Sequence, residues 1–134
     1  MTKPLVSIIT PCYNGEAFLK RYFESILNQT YPNLELIFIN DGSTDRTEEI
    51  ALSYRERLEK RGITYIYEKQ ENAGQAAALN RGLKLFTGEY LTWPDSDDEM
   101  VSDAVEKKVD YLEQHPDYGF CICKTKVVNE NNPE

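Results

Sequence analysis

The sequence predicts an α/β fold in which a mainly parallel open sheet is flanked by helices on both faces. Three observations carry that expectation. Apolar, β-branched runs of strand length alternate with segments whose apolar residues recur at three- and four-residue steps. The run "LELIFIN" at 34–40 is nearly continuously apolar, as suits a strand covered on both sides. Repeated strand–helix units also favour right-handed crossovers, which leave successive strands parallel.

In chain order, "LVSIIT" at 5–10 is the first strand, stopped by Pro11. A helix follows at about 16–28, where Phe18, Leu19, Tyr22, Phe23, Ile26 and Leu27 share one face, and "NQTYPN" ends it. After the strand at 34–40, "DGSTD" is a turn. Asp45 and Glu48 then have the spacing of a capping box for a helix with Ile50, Ala51, Tyr54 and Leu58 inward, running to about residue 61 and closed by Gly62. "ITYIYE" at 63–68 is the third strand, "NAG" at 72–74 a turn and "QAAALNRGLKLF" at 75–86 a helix of strong helix formers. "EYLTWP" at 89–94 is the fourth strand. A helix at about 102–114 with Ala104, Val105, Val109 and Leu112 inward and a fifth strand, "YGFCICKTKVV" at 118–128, complete the pattern. Residues 1–128 thus form one unit, and "NENNPE" at 129–134 reads as a frayed tail.

Composition bounds the function. At 134 residues one core is expected, and 40% hydrophobic with 28% charged residues is ordinary for a globular domain. The net charge of −8 argues against nucleic acid as a partner, and any phosphate ligand needs a cation. Cys12, Cys121 and Cys123 lack zinc-site spacing and read as reduced structural thiols of a cytoplasmic protein. No signal peptide and no apolar stretch of membrane-spanning length is expected.

In open parallel sheets a ligand lies at the carboxyl ends of the strands, so the segments "TPCYN", "NDGSTD", "EKQENAG" and "PDSDDE" are where function should sit. They carry Asn14, Asp41, Ser43, Asn72, Asp95 and Asp97, short polar residues able to converge on one ligand. The acids Asp95, Asp97, Asp98 and Glu99 follow directly on an apolar strand. A solvated turn and helix cap accounts for one or two of them. Confined carboxylates otherwise repel one another unless a cation joins them, so a hard divalent ion is the stronger reading of Asp95 and Asp97, with Asp98 and Glu99 serving mainly the next turn. Asp41, before its turn, is placed either to support that turn or to accept hydrogen bonds from a ligand N–H. Tyr13 either stacks on a base or fills the core, the core being the expectation. "NAG" offers backbone N–H groups to phosphate, or simply starts a closely packed helix. His115 has no partner pattern and reads as a helix-end residue.

Taken together, "VSIITPCYNGEAFLKRYFESILNQTYPNLELIFINDGSTDRT", "ENAGQAAALNRGL" and "GEYLTWPDSDDEM" resemble the family 2 glycosyltransferases of the GT-A fold, from about residue 6 to 100. The resemblance implies the Rossmann-like half that binds a nucleoside-diphosphate sugar, with a UDP-sugar favoured. By carry-over, Pro11, Tyr13 and Asn14 lie beside base and ribose, Asp41 holds the base, and Asn72 and Gly74 line the site. "DSD" at 95–97 matches the family's D-x-D motif. There Asp97 is the direct ligand of Mg2+ or Mn2+, Asp95 faces the ribose and the metal's water shell, Ser96 lies with the donor, and Asp98 assists. The resemblance further implies an inverting enzyme acting on an unknown carbohydrate or lipid-linked acceptor. Its acceptor-binding half and catalytic base are expected beyond Glu134. A homo-oligomer and peripheral membrane attachment through other parts are compatible with it.

Leu79 departs from the family, where many members carry Arg, and Arg81 points elsewhere on a helix. The competing expectation is a truncated, non-catalytic nucleotide- or partner-binding module. A response-regulator receiver needs an acidic pair after its first strand, and "TPCYNG" has none. Neither the dinucleotide fingerprint nor the P-loop pattern occurs.

Overall fold

A computed structural model describes residues 3–127; the tail at 129–134 and residue 128 lie outside the described residues. The elements are β1 (Val6–Cys12), α1 (Leu19–Leu27), β2 (Leu34–Asp41), α2 (Thr47–Ser53), α3 (Arg55–Lys60), β3 (Thr64–Gln70), α4 (Gln75–Leu83), β4 (Tyr90–Thr92) and α5 (Ala104–Gln114). The four strands form one sheet in the order β3-β2-β1-β4, every pair parallel. The chain therefore steps outward from β1 to β3, then crosses back to place β4 on the other side of β1. That reversal puts α4 on the opposite face from α1, because right-handed crossovers running in opposite directions cover opposite faces.

Alternation along the strands sorts the core accordingly. Ile8 and Cys12 of β1 with Leu36 and Phe38 of β2 face α1, α2, α3 and α5 through Tyr22, Phe23, Ala51, Leu58 and Val105. Ile9, Ile37 and Ile39 face α4 through Ala78. Gly82 makes that second layer thin: a Cβ there would stand 2.4 Å from Cγ2 of Ile9, so only glycine lets the helix seat on β1. At the amino end of the strands the buried Glu35 carboxylate accepts hydrogen bonds from Ser7 Oγ (2.5 Å), Thr87 N (3.0 Å) and Thr87 Oγ1 (2.8 Å). Ser7 Oγ in turn accepts from Gly88 N (2.9 Å), which moors the chain as it enters β4. Three donors so matched make the buried acid tolerable.

Several expectations need correction. The helix placed at 45–61 is two, broken at Tyr54, whose ring stacks on Phe23 at 4.7 Å and whose hydroxyl donates to Glu24 Oε1 (3.2 Å). The capping box does not form, because Glu48 turns away to accept from Tyr67 Oη (2.9 Å) and to pair with Lys69. Phe18, expected inward, is exposed just before α1. The fifth strand is absent from 118–127, which has no regular structure, and Phe120 and Ile122 are 80% and 87% exposed. Their apolar alternation is a strand signal only beside a pairing partner, and among the described residues none lies there.

Candidate functional site

The strand-order reversal leaves a crevice between the carboxyl ends of β1 and β4. It holds a cavity of about 420 Å³ lined by residues that include Pro11, Tyr13, Asn14, Asp41, Asp95, Ser96 and Asp97. Seven of the residues assigned from sequence thus meet around one space. Cys12, Gly15, Phe18 and Gln75 line it as well, and sequence reasoning placed none of them in a site.

The first two loops form one hydrogen-bonded unit. Asn14, at φ 52°, sends its N–H to Ser43 Oγ (2.9 Å) and accepts from Thr44 N at Oδ1 (2.8 Å). Gly15 N donates to Thr47 Oγ1 (2.9 Å) and Glu16 N to Asp45 Oδ2 (3.1 Å), while Arg46 N donates to Glu16 Oε2 (3.2 Å). Much of "CYNG" and "GSTD" is therefore spent on fixing each loop against the other. Tyr13, 53% exposed on the cavity rim, is the residue this clasp presents, and its expected place in the core is corrected.

Burial works against the charge of Asp45, but hydrogen bonds from the Thr47 side chain and from the Thr47 and Glu16 N–H groups outweigh it and hold its carboxyl below the usual range. A depressed folded-state pKa adds stability that is full above the unfolded value near ~3.9 and is lost as pH falls through the lower folded value. Asp45→Asn is thus expected to lower the melting temperature by roughly 3 °C at pH 7. The gap to the parent should close as pH falls through the lowered folded-state value. Melting curves across that range check this, and a gap independent of pH would contradict the clasp's charge.

Asp41 is 3% exposed, and its carboxylate is already engaged. Oδ1 accepts from Gln70 Nε2 (2.9 Å) and Ala73 N (2.8 Å), and Oδ2 from Gly74 N (3.0 Å). Asn72 Nδ2 donates to the Asp41 carbonyl oxygen (3.0 Å). Asn72 and Gly74 thus stand behind Asp41 as its supports, and the N–H groups of Ala73 and Gly74, offered from sequence to phosphate, point at a carboxylate instead. The Asp41 carboxylate thus ties down the 72–74 segment and not the turn that follows it, while the residue borders the cavity.

On the facing wall, β4 ends in a turn closed by Asp98 N donating to the Asp95 carbonyl (3.1 Å). Carboxylate oxygens of Asp95, Asp97 and Asp98 all come within 4.8 Å of one another. Burial, then the neighbouring Asp97 and Asp95 charges, push the Asp98 carboxyl above the usual range. Oxygen donors gathered this closely in an open cavity fit a hard divalent cation. Among the described lining residues three are acids and none is Lys or Arg. Arg81 is tied to Glu68 of β3 (2.6 Å) and Leu79 packs into the α4 layer, so neither brings positive charge to the cavity. Cys12 is buried beneath the cavity, and burial pushes its thiol up. His115 caps α5 and stacks between Tyr111 and Tyr118, as a helix-end residue.

Fold and site together define an open parallel α/β domain with an acidic cavity at its topological switch point. The family model described as "Glycosyl transferase family 2" matches residues 7–134, and the chain belongs to that family. An uncharacterized glycosyltransferase of Haemophilus influenzae is 42% identical over 127 residues, covering 90% of this chain and 50% of that protein. Among solved structures, Staphylococcus aureus TarS 1–349 in complex with UDP superposes with a TM-score of 0.76 at 26% identity. The mannosyltransferase PcManGT of Pyrobaculum calidifontis, in complex with GDP-Man and Mn2+, does so with 0.75 at 30%. Each match covers 84% of this chain and 33% of the solved one. The chain thus spans half or less of the length of these relatives. The GT-A architecture expected from sequence stands, and no helix of the described residues is long and apolar enough to cross a membrane.

Proposed function

We propose that this chain is the donor-binding half of an inverting glycosyltransferase, taking a nucleoside-diphosphate sugar together with Mg2+ or Mn2+ in the cavity between β1 and β4. The observation that carries it is the acidic wall: Asp95, Asp97 and Asp98 bring carboxylate oxygens within 4.8 Å of one another, two of these acids line the cavity, and no Lys or Arg is among its described lining residues, so a diphosphate is favoured there together with a cation. Asp97 is the direct ligand, Asp95 serves the ribose and the cation's water shell, and Asp98 lies close enough to share the ion. When bound, the cation neutralises charge on the departing diphosphate. Tyr13 on the rim and Pro11 flank base and ribose, with Asn14 fixing their loop. Asp41 receives the base N–H at the cavity floor, and Ser96 stands beside the donor.

A uridine nucleotide is favoured, in keeping with the UDP complex of TarS, with guanosine the second choice from PcManGT. The acceptor is a carbohydrate or a lipid-linked glycan. The base that takes its proton is assigned to the length of the relatives that this chain does not span. Isothermal calorimetry of UDP and of GDP with manganese, with magnesium and with chelator tests the donor site. Binding with either metal and none in chelator is expected. Equal affinity in chelator and in manganese, or no binding of either nucleotide, would sink it.

A further inference from the structure

We propose that Gln75 is a positioning residue for the acidic cluster, holding Asp95 in place from the start of α4; this deepens the donor-site reading above and rests on it. Gln75 Nε2 donates to Asp95 Oδ1 at 3.0 Å, and both residues line the cavity. The two side chains come from separate elements, α4 after β3 and the turn after β4.

The backbone that carries Gln75 is anchored. Ala73 N and Gly74 N both donate to the buried Asp41 carboxylate, and the Asn72 side chain donates to the Asp41 carbonyl. Gly74 sits at φ 96°, ψ 163°, a conformation open to glycine, and α4 begins with the next residue. Gln75 therefore leaves a fixed strap, so the backbone that aims its side chain is already ordered. Segment 72–75 is thereby bonded to acids at both walls, Asp41 on β2 and Asp95 after β4.

The chemistry favours an amide at this place. Asp95 lies in a cluster of three carboxylates that repel one another. A Lys or Arg there would steady Asp95 but would compete with the cation for it. A neutral N–H donor steadies one oxygen, Oδ1, and leaves Oδ2 and the negative charge for the cation's shell. Gln75 thus pre-sets the cluster for the metal without discharging it.

A double-mutant cycle with Gln75→Met and Asp95→Ala, read by calorimetry of manganese–UDP and manganese–GDP, tests this. Gln75→Met is expected to weaken binding about tenfold in the parent with the melting temperature unchanged, and by less than about twofold in the Asp95→Ala background. Equal losses in both backgrounds, or no loss in the parent, would overturn it. Side-chain amide resonances in 15N–1H spectra of the ligand-free chain give a second measure, independent of nucleotide. Those of Gln75 are expected to shift on Asp95→Ala, and unmoved resonances would overturn the contact. A parent chain that binds neither nucleotide sinks the donor site and this role together, whereas binding that is insensitive to Gln75→Met sinks this role alone.

Discussion

Asp97→Ala is expected to lower the affinity for manganese–UDP by at least about 100-fold while leaving the melting temperature nearly unchanged. Two unit charges 4 Å apart interact by about 4 kcal/mol at an effective dielectric constant of ~20, so one lost carboxylate against a divalent ion exceeds that factor even after screening. Stability moves little because Asp97 is exposed and its cluster is repulsive, so nothing in the core depends on it. Calorimetry in manganese and in chelator, with a melting curve of the same preparation, checks both halves. A variant that still bound manganese–UDP within about threefold of the parent would remove Asp97 from the metal site.

The largest effect on stability is expected from Phe23→Ala, about 4 kcal/mol, or roughly 15 °C in melting temperature. Phe23 is fully buried on α1 and touches four rings: Tyr54 stacked at 4.7 Å, Tyr22 edge-on at 5.1 Å, Phe38 stacked at 5.5 Å and Tyr65 edge-on at 6.2 Å. These rings come from α1, β2, the α2–α3 junction and β3, so one truncation opens a cavity where four elements meet. Phe23→Leu should recover more than half of the loss by refilling most of the volume. Urea titrations of the three proteins compare them directly, and a loss below about 1 kcal/mol for Phe23→Ala would place the centre of the core elsewhere.

Glu35 shows how a buried charge can belong to folding and not to function. Its carboxylate is paired by Ser7 and Thr87 at the amino end of the sheet, opposite to the end where the cavity opens. The acids that carry the proposed chemistry are the exposed ones. Charge left in contact with solvent and with like charges can be given to a cation, whereas charge matched donor by donor inside the sheet cannot.

Much of the site was legible because its residues follow strand ends that local pattern already marks. "LVSIIT" and "LELIFIN" set the parallel pair, and "PDSDDE" after an apolar run set the acidic wall. Motifs that look separate along the chain proved to be halves of one device. Asn14 with Thr44 and Glu16 with Asp45 are bonded at a separation of about thirty residues, which no local window contains. Gln75 escaped notice for the same reason, since a glutamine at a helix start has no meaning until Asp95 stands opposite. The capping box failed because Tyr67 and Lys69 on β3 offered Glu48 better partners than its own helix end.

By itself the sequence determined the alternation of the four strands with helices, the inward faces of those helices and the identity of the acids, because periodicity and composition act over a few neighbouring residues. The tertiary structure decided which strands are neighbours, and so that β1 and β4 frame the cavity, that Tyr13 faces out, that Asp41 is shared between loop and cavity, and that 118–127 forms no strand. Those outcomes depend on hydrogen bonds and burial between residues far apart in the chain, whose energies exist only once the sheet has brought them together.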